Sequence, residues 1–231
     1  MSPGASLASQ ADATPETRTC ADVSATPGDT MAGMDHGDMG ASTPMASMEH
    51  GEMDHGTPMA DMGQVEFDLM YIDMMIPHHE SIIALASVAV NELSDPRLVA
   101  IAEDIIATQS AENEQMHQLR EAWYPGAEPV SMEQMMTMPG MGDDMAAMDQ
   151  QMSAEWQVQA FCAAEDKDLA FIEQVIPHHQ MAIDTSQAAL EHAVHPELVT
   201  IAEDVIAAQE AEIVELEAIR ADLTGEATPA S

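Results

Sequence analysis

The chain has almost no cationic side chains, with 5 Lys and Arg against 42 Asp and Glu and a formal net charge of −37 over 231 residues. Nucleic-acid phosphate and anionic membrane surfaces would both be repelled, so neither is expected as a partner, and cations are the natural counterpart. Aromatic residues are scarce, at 3%. In so acidic a chain this would fit disorder, but the hydrophobic fraction is 46% and falls in periodic segments, so the body is expected to fold. No apolar run reaches the ~20 residues of a membrane span. Met1 to Gln10 lacks the apolar region of a signal peptide, and the expectation is a periplasmic or secreted chain written without its leader. Cys20 and Cys162 are the only cysteines, and their spacing fits neither a zinc knuckle nor a redox motif. A disulfide in an oxidising compartment and two free thiols both remain open.

Methionine, by contrast, is abundant, with 22 residues, many outside any core and close to histidine. Residues 1–63 are rich in Gly, Ser, Thr, Pro, Asp and Met without sustained periodicity, the composition of a flexible acidic tail. Within it Met34, His36 and Met39, then Met48, His50, Met53 and His55, interleave with carboxylates. Thioether sulfur suits Cu(I) or Ag(I), imidazole suits either copper state, and carboxylates attract cations, so this segment reads as an auxiliary metal collector. An acidic solubilising tail is the plainer alternative.

The body carries an internal duplication. Met74-Met75-Ile76-Pro77-His78-His79 returns as Gln174-Val175-Ile176-Pro177-His178-His179. Asp68, Pro96, Leu98, Ile101, Ala102, Gln109, Glu112 and Arg120 recur in the same register at Asp168, Pro196, Leu198, Ile201, Ala202, Gln209, Glu212 and Arg220. Four- and three-residue apolar steps predict a helix over 64–92, interrupted at Pro77, whose ring leaves the Asp73 carbonyl without its usual donor. Asp95-Pro96 is a helix start, with Asp95 as cap, and the next helix runs to about Trp123. The expected units are therefore a first helical-hairpin repeat over 64–126, a Met-rich linker over 127–164, a second repeat over 165–225, and a short tail over 226–231. In the linker, 143–162 is expected to form a helix packing Met145, Met148, Met152, Trp156 and Phe161 onto the body.

If each repeat is an antiparallel hairpin, residues equally far from the turn lie opposite each other. Counting from the turn brings His78 to Gln109 and Met75 to Glu112. On the first helix Met74 and His78, like Met75 and His79, are four apart and share a face. Met116 and His117 follow one turn after Glu112, which completes a soft-donor cluster with a carboxylate. In the second repeat His178 and His179 keep Met181 and Glu212 nearby, but Gln174, Val175, Leu216 and Glu217 replace the other donors, so a weaker or structural site is expected there. His192 and His195, at the second hairpin's turn, read as surface residues. A lone helical histidine is ordinarily a hydrogen-bonded structural residue. Duplication of the pair, together with the Met and His of the tail, favours metal ligation.

Phe67-Asp68 through Met75-Ile76-Pro77-His78-His79, followed by Pro96, Gln109 and Glu112, resembles the bacterial domain-of-unknown-function 305 family. Asp166 through His179, with Pro196, Gln209 and Glu212, resembles a second copy, and the two together cover about 64–225. The resemblance implies an all-α, ferritin-like four-helix bundle, usually exported, with CopM-type periplasmic members that bind copper or silver. Family members commonly carry Met at the positions of Leu85, Val175 and Asp184, so this chain departs from them there. The expected function is non-enzymatic: binding of Cu(I), Cu(II) or Ag(I) for sequestration, resistance or delivery, with other copper-handling proteins as partners. Two alternatives stand beside it. A di-iron oxidase needs Glu-x-x-His on two helices; Glu114-Gln115-Met116-His117 supplies one, whereas Val214-Glu215-Leu216-Glu217 does not supply the second. A structural bundle would use the histidine pairs as buried polar layers.

Overall fold

A computed structural model describes residues 19–24, 59–139 and 145–225. Among these residues the chain is all-α. A short helix α1 (Cys20–Ser24) precedes α2 (Met59–Ala89) and α3 (Pro96–Trp123). The linker carries α4 (Met132–Met135), α5 (Met145–Met152) and α6 (Ala154–Ala163), and the second repeat follows as α7 (Lys167–His192) and α8 (Pro196–Thr224). The four long helices form a bundle of two antiparallel hairpins, α2–α3 and α7–α8. No helix of the described residues is long and apolar enough to cross a membrane.

The helix starts follow from local chemistry. Asp95 caps α3 by accepting from the Arg97 N–H at 2.9 Å, with Pro96 at the first helical position. Asp166 caps α7 through Leu169 N–H at 3.0 Å. The helix expected over 143–162 is two helices, because Ser153 accepts from Trp156 N–H at 3.2 Å and starts α6 afresh. Trp156 is 43% exposed and so does not pack inward as expected, whereas Phe161 and Met148 do. The helix expected to be interrupted at Pro77 runs continuously through it, as α7 does through Pro177.

The hairpins are tied together reciprocally. Asp68, at the start of α2, accepts from Val194 N–H and His195 N–H, both at 3.0 Å, at the turn of the second hairpin. Asp168, at the start of α7, accepts from Ser94 N–H at 2.8 Å and Asp95 N–H at 3.2 Å, at the turn of the first. Each turn's orphan donors are thus satisfied by the other repeat, so α2 and α7 run antiparallel. His195 is no simple surface residue. Its Nδ1 lies 2.6 Å from Asp68 Oδ2, and its ring stacks on Trp123 with centroids 3.8 Å apart. His192 packs against Phe67, at 5.6 Å.

Two apolar clusters fill the bundle. One gathers Phe67, Tyr71, Ile72, Met74 and Met75 of α2 with Met116, three linker methionines (Met135, Met138, Met148), and Leu198, Ile201, Ala202 and Val205 of α8. The other joins Leu85 and Val88 of α2 to Leu98, Ile101 and Ile105 of α3, Phe161, Phe171, Ile172, Leu216 and Ile219. Each such fully buried side chain contributes ~1.5–3 kcal/mol of transfer free energy. The histidine pairs of α2 and α7 belong to neither cluster. Cys20 and Cys162 are bonded, which fastens α1 beside α6 across a sequence separation of 142 residues. The question of free thiols left by the sequence is thereby settled.

Candidate metal centre

His78, His79, His178 and His179 are each fully buried. They do not form two separate sites, one per repeat, as sequence counting implied. The antiparallel packing of α2 on α7 brings them together, with the His78 and His178 rings stacked at a centroid distance of 3.5 Å. His78 to His79 and His178 to His179 measure 6.2 and 6.1 Å.

Their nitrogens are unequally occupied. His178 Nε2 lies 3.0 Å from the His78 carbonyl oxygen, which can only accept, so Nε2 carries the proton. His179 Nε2 lies 2.5 Å from Glu212 Oε2 and donates likewise. In both rings Nδ1 has no hydrogen-bond partner. This is the arrangement in which a carboxylate or carbonyl orients a ligating imidazole. In His78 and His79 neither ring nitrogen has a partner, and the nearest carboxylate oxygen to His79, Glu112 Oε2, stands 3.6 Å from its Nδ1. A buried polar atom without a partner costs ~1–3 kcal/mol, so this layer is held at the expense of stability.

Burial fixes the charge state. Desolvation pushes His78 and His178 well below the usual histidine range, reinforced by neighbouring imidazoles, and takes His79 down to about 3. All three are neutral at pH 7, the form in which imidazole binds metal. Glu112 moves the other way, to about 7, through desolvation first and then the nearby Glu212 and Asp204 carboxylates.

The remaining predicted residues divide. Met74, Met75 and Met116 are fully buried, and Met181 packs partly buried against their cluster. Glu112 stands beside His79, its Oε2 3.6 Å from Nδ1, without a hydrogen bond to it. Glu212 holds His179. Gln109 and Gln209 are buried with both side-chain amide atoms unpartnered. His117 does not join the buried donors; it lies on the exposed face of α3, lining a surface groove. Met34, His36, Met39, Met48, His50, Met53 and His55 lie outside the described residues. Sequence reasoning missed Asn113, which donates to the Ile76 carbonyl at 3.2 Å and approaches His79, although its place four residues after Gln109 was a signal. Ser81 was missed as well. Its hydroxyl sits among His178 Nε2 at 3.1 Å, the Gln151 carbonyl at 2.5 Å and the Gln157 amide at 3.0 Å, which links the linker helices to the histidine layer.

Among the described residues no three His, Cys, Asp or Glu side chains converge into a ready-made chelate. What the layer offers is neutral imidazole nitrogens beside a methionine-rich cluster. That donor set fits a soft, low-coordinate cation better than a hard one needing several oxygens.

Comparison with solved structures gives the same fold. CopM in its Cu(II)-bound form matches with a TM-score of 0.55 and 28% identity, covering 68% of this chain and 97% of that one. CopM in its silver-soaked form matches at 0.53 and 28%, covering 67% and 95%. A DUF305 protein from Streptomyces coelicolor matches at 0.53 and 20%, covering 71% and 96%, and bears on the fold alone. No curated protein matches the chain. The family model described as Domain of unknown function (DUF305) matches twice, over residues 5–120 and 68–220, and the chain belongs to that family.

Proposed function

We propose that this protein is a non-enzymatic carrier or store that binds copper or silver inside its helical bundle, outside the cytoplasm. The observation that carries the reading is the layer of four fully buried histidines with unpartnered nitrogens. The protein's own groups leave six of the eight ring nitrogens without a partner, and a cation would supply one. His78, His79, His178 and His179 are the proposed nitrogen ligands, with thioether sulfur from Met74, Met75, Met116 and Met181. Cu(I) and Ag(I) are favoured by that sulfur content, and Cu(II) by the nitrogens alone. CopM, a relative solved with Cu(I), Cu(II) and silver, supports the same cargo. The Cys20–Cys162 disulfide supports an oxidising compartment. The 42 carboxylates draw cations to the surface, and release to other copper-handling proteins would complete the cycle.

A di-iron oxidase is disfavoured because Glu114 and His117, its one sequence motif, both lie on the exposed face of α3. Anaerobic Cu(I) titration against a chromophoric chelator tests the proposal. The full chain should lose its tightest-bound ions in His78→Ala/His79→Ala. Unchanged stoichiometry and affinity in that variant would remove the bundle from the function.

A further inference from the structure

The fully buried histidines lie between the two apolar clusters along α2 and α7, so a cation needs a way in, and the two repeats differ in what they offer it. Between α2 and α3 an open groove of about 890 Å³ is lined by Glu80, Glu114, His117 and Glu121, with Asn113 also on its wall. Asn113 is 7% exposed, and its Oδ1 is buried with no hydrogen-bond partner. Its Nδ2 donates to the Ile76 carbonyl at 3.2 Å, about one helical turn before His79, which places the side chain within electrostatic reach of that ring. One polar side chain therefore borders both the solvent-open groove and the buried donors.

The matching face of the second repeat is lined differently, although Glu212 there reaches His179 as Glu112 nears His79. Gln180, Ile213, Val214 and Glu217 stand where Glu80, Asn113, Glu114 and His117 stand in the first, and Val214 is 68% exposed. An aliphatic side chain at the threshold offers a dehydrating cation nothing, whereas an amide oxygen replaces one water ligand as it passes. Three carboxylates and an imidazole at the mouth raise the local cation concentration.

We propose that the α2–α3 groove is the loading port for soft monovalent cations, with His117 and its flanking carboxylates as first contact and Asn113 as the threshold to His79. The port rests on the metal-binding reading above and assigns it a direction: cargo enters and leaves through the first repeat only. Asn113 is a conduit and not a ligand of the stored ion, so its replacement slows loading and unloading alike and leaves their ratio unchanged.

The test is stopped-flow mixing of the full chain with Ag(I), a redox-inert probe, followed by chase with excess thiosulfate. The buried-site phase is identified as the one lost in His78→Ala/His79→Ala. Asn113→Ile, which installs the residue of the second repeat, should slow both uptake and release of that phase at least about tenfold, equivalent to ~1.4 kcal/mol of added barrier, with unchanged stoichiometry and Kd. Asn113→Ile/Ile213→Asn, which moves the threshold to the second repeat, should recover part of the rate. Wild-type rates in Asn113→Ile would overturn the port, as would a weakened Kd with unchanged uptake, the mark of a ligand. Absence of any His78/His79-dependent phase in the wild-type chain would instead overturn the metal-binding reading, and the port with it. Helical circular dichroism and the apo melting midpoint check that each variant is folded.

Discussion

The imidazole rings of His78 and His178 stack at 3.5 Å in the centre of the bundle, and His78 has no hydrogen-bond partner at either ring nitrogen. A pair of neutral aromatic rings could be built from phenylalanine without leaving polar atoms unpaired, so the nitrogens are a liability to the metal-free fold. His78→Phe is accordingly expected to raise the stability of the metal-free protein by about 1 kcal/mol or more. The same variant should lose the rise in melting midpoint that Ag(I) gives the wild type, since a ligand bound only by the folded state stabilises it. Urea denaturation with and without Ag(I) measures both. A less stable metal-free His78→Phe would mean that the ring nitrogens are satisfied in solution.

The metal-free protein should lose stability as pH falls below about 6.5. His78, His79 and His178 have folded-state values lowered by burial, with His79 near 3, so the unfolded chain takes up protons there that the native state refuses. Their stabilising contribution is complete above the unfolded value and is lost progressively as pH falls from there towards the lowered folded value. Each removes up to ~1.4 kcal/mol per pH unit. Glu112 opposes them: raised to about 7, it is protonated in the native state before the unfolded one, which favours folding as pH falls from 7 towards 4.5. Three against one leaves a net loss. Unfolding free energies from urea titrations at pH 7.5 and 5.5 should show it, and equal values would contradict the neutral, buried histidine layer.

Reduction of the Cys20–Cys162 bond should destabilise the chain. The bond closes a loop spanning 142 residues, for which chain entropy predicts ~5 kcal/mol as an upper figure. It also anchors α1, whose Cys20 N–H donates to Glu92 Oε1 at 3.0 Å, in the turn of the first hairpin. Cys20→Ala/Cys162→Ala should therefore melt well below the wild type. Silver stoichiometry at the buried site, measured at a temperature where the variant is folded, should stay the same.

The two hairpins were legible in the chain because Asp95-Pro96 and the recurring Pro196 mark helix starts and the apolar stripes recur in register. The pairing inside each hairpin was less so. Equal counting from the turn put Glu112 opposite Met75, whereas it meets His79. In a helix every Cα–Cβ bond tilts towards the N-terminus. Across an antiparallel pair the α3 side chains lean towards the turn and the α2 side chains away from it. Glu112 and His79 meet by leaning towards each other from different levels, and Arg120 reaches Asp73 in the same way. The union of four histidines was beyond such reasoning, because no local pattern states how one hairpin lies on the other. The duplicated aspartates come nearest to doing so, but a lone Asp near a helix start reads first as a cap for its own helix. That Asp68 serves the turn of the other repeat becomes visible only once the hairpins are docked.

This docking contact gives an asymmetric prediction. Asp68 is fully buried and satisfies Val194 N–H, His195 N–H and the His195 ring, whereas Asp168 is partly exposed and satisfies only Ser94 N–H and Asp95 N–H. Removing either carboxylate strands two backbone donors, at ~1–3 kcal/mol for each one left buried. Solvent can reach the donors around Asp168 more readily than those around Asp68, where the stacked Trp123 and His195 rings cover the turn. Asp68→Ala should therefore cost more unfolding free energy than Asp168→Ala. A double-mutant cycle of Asp68→Ala with His195→Ala should show coupling of about 0.5–3 kcal/mol, and the matching cycle of Asp168→Ala with Asp95→Ala should show less. Equal losses in the two single variants, measured by urea denaturation at pH 7.5, would mean that the two ends of the bundle are held alike and that His195 adds nothing to the latch.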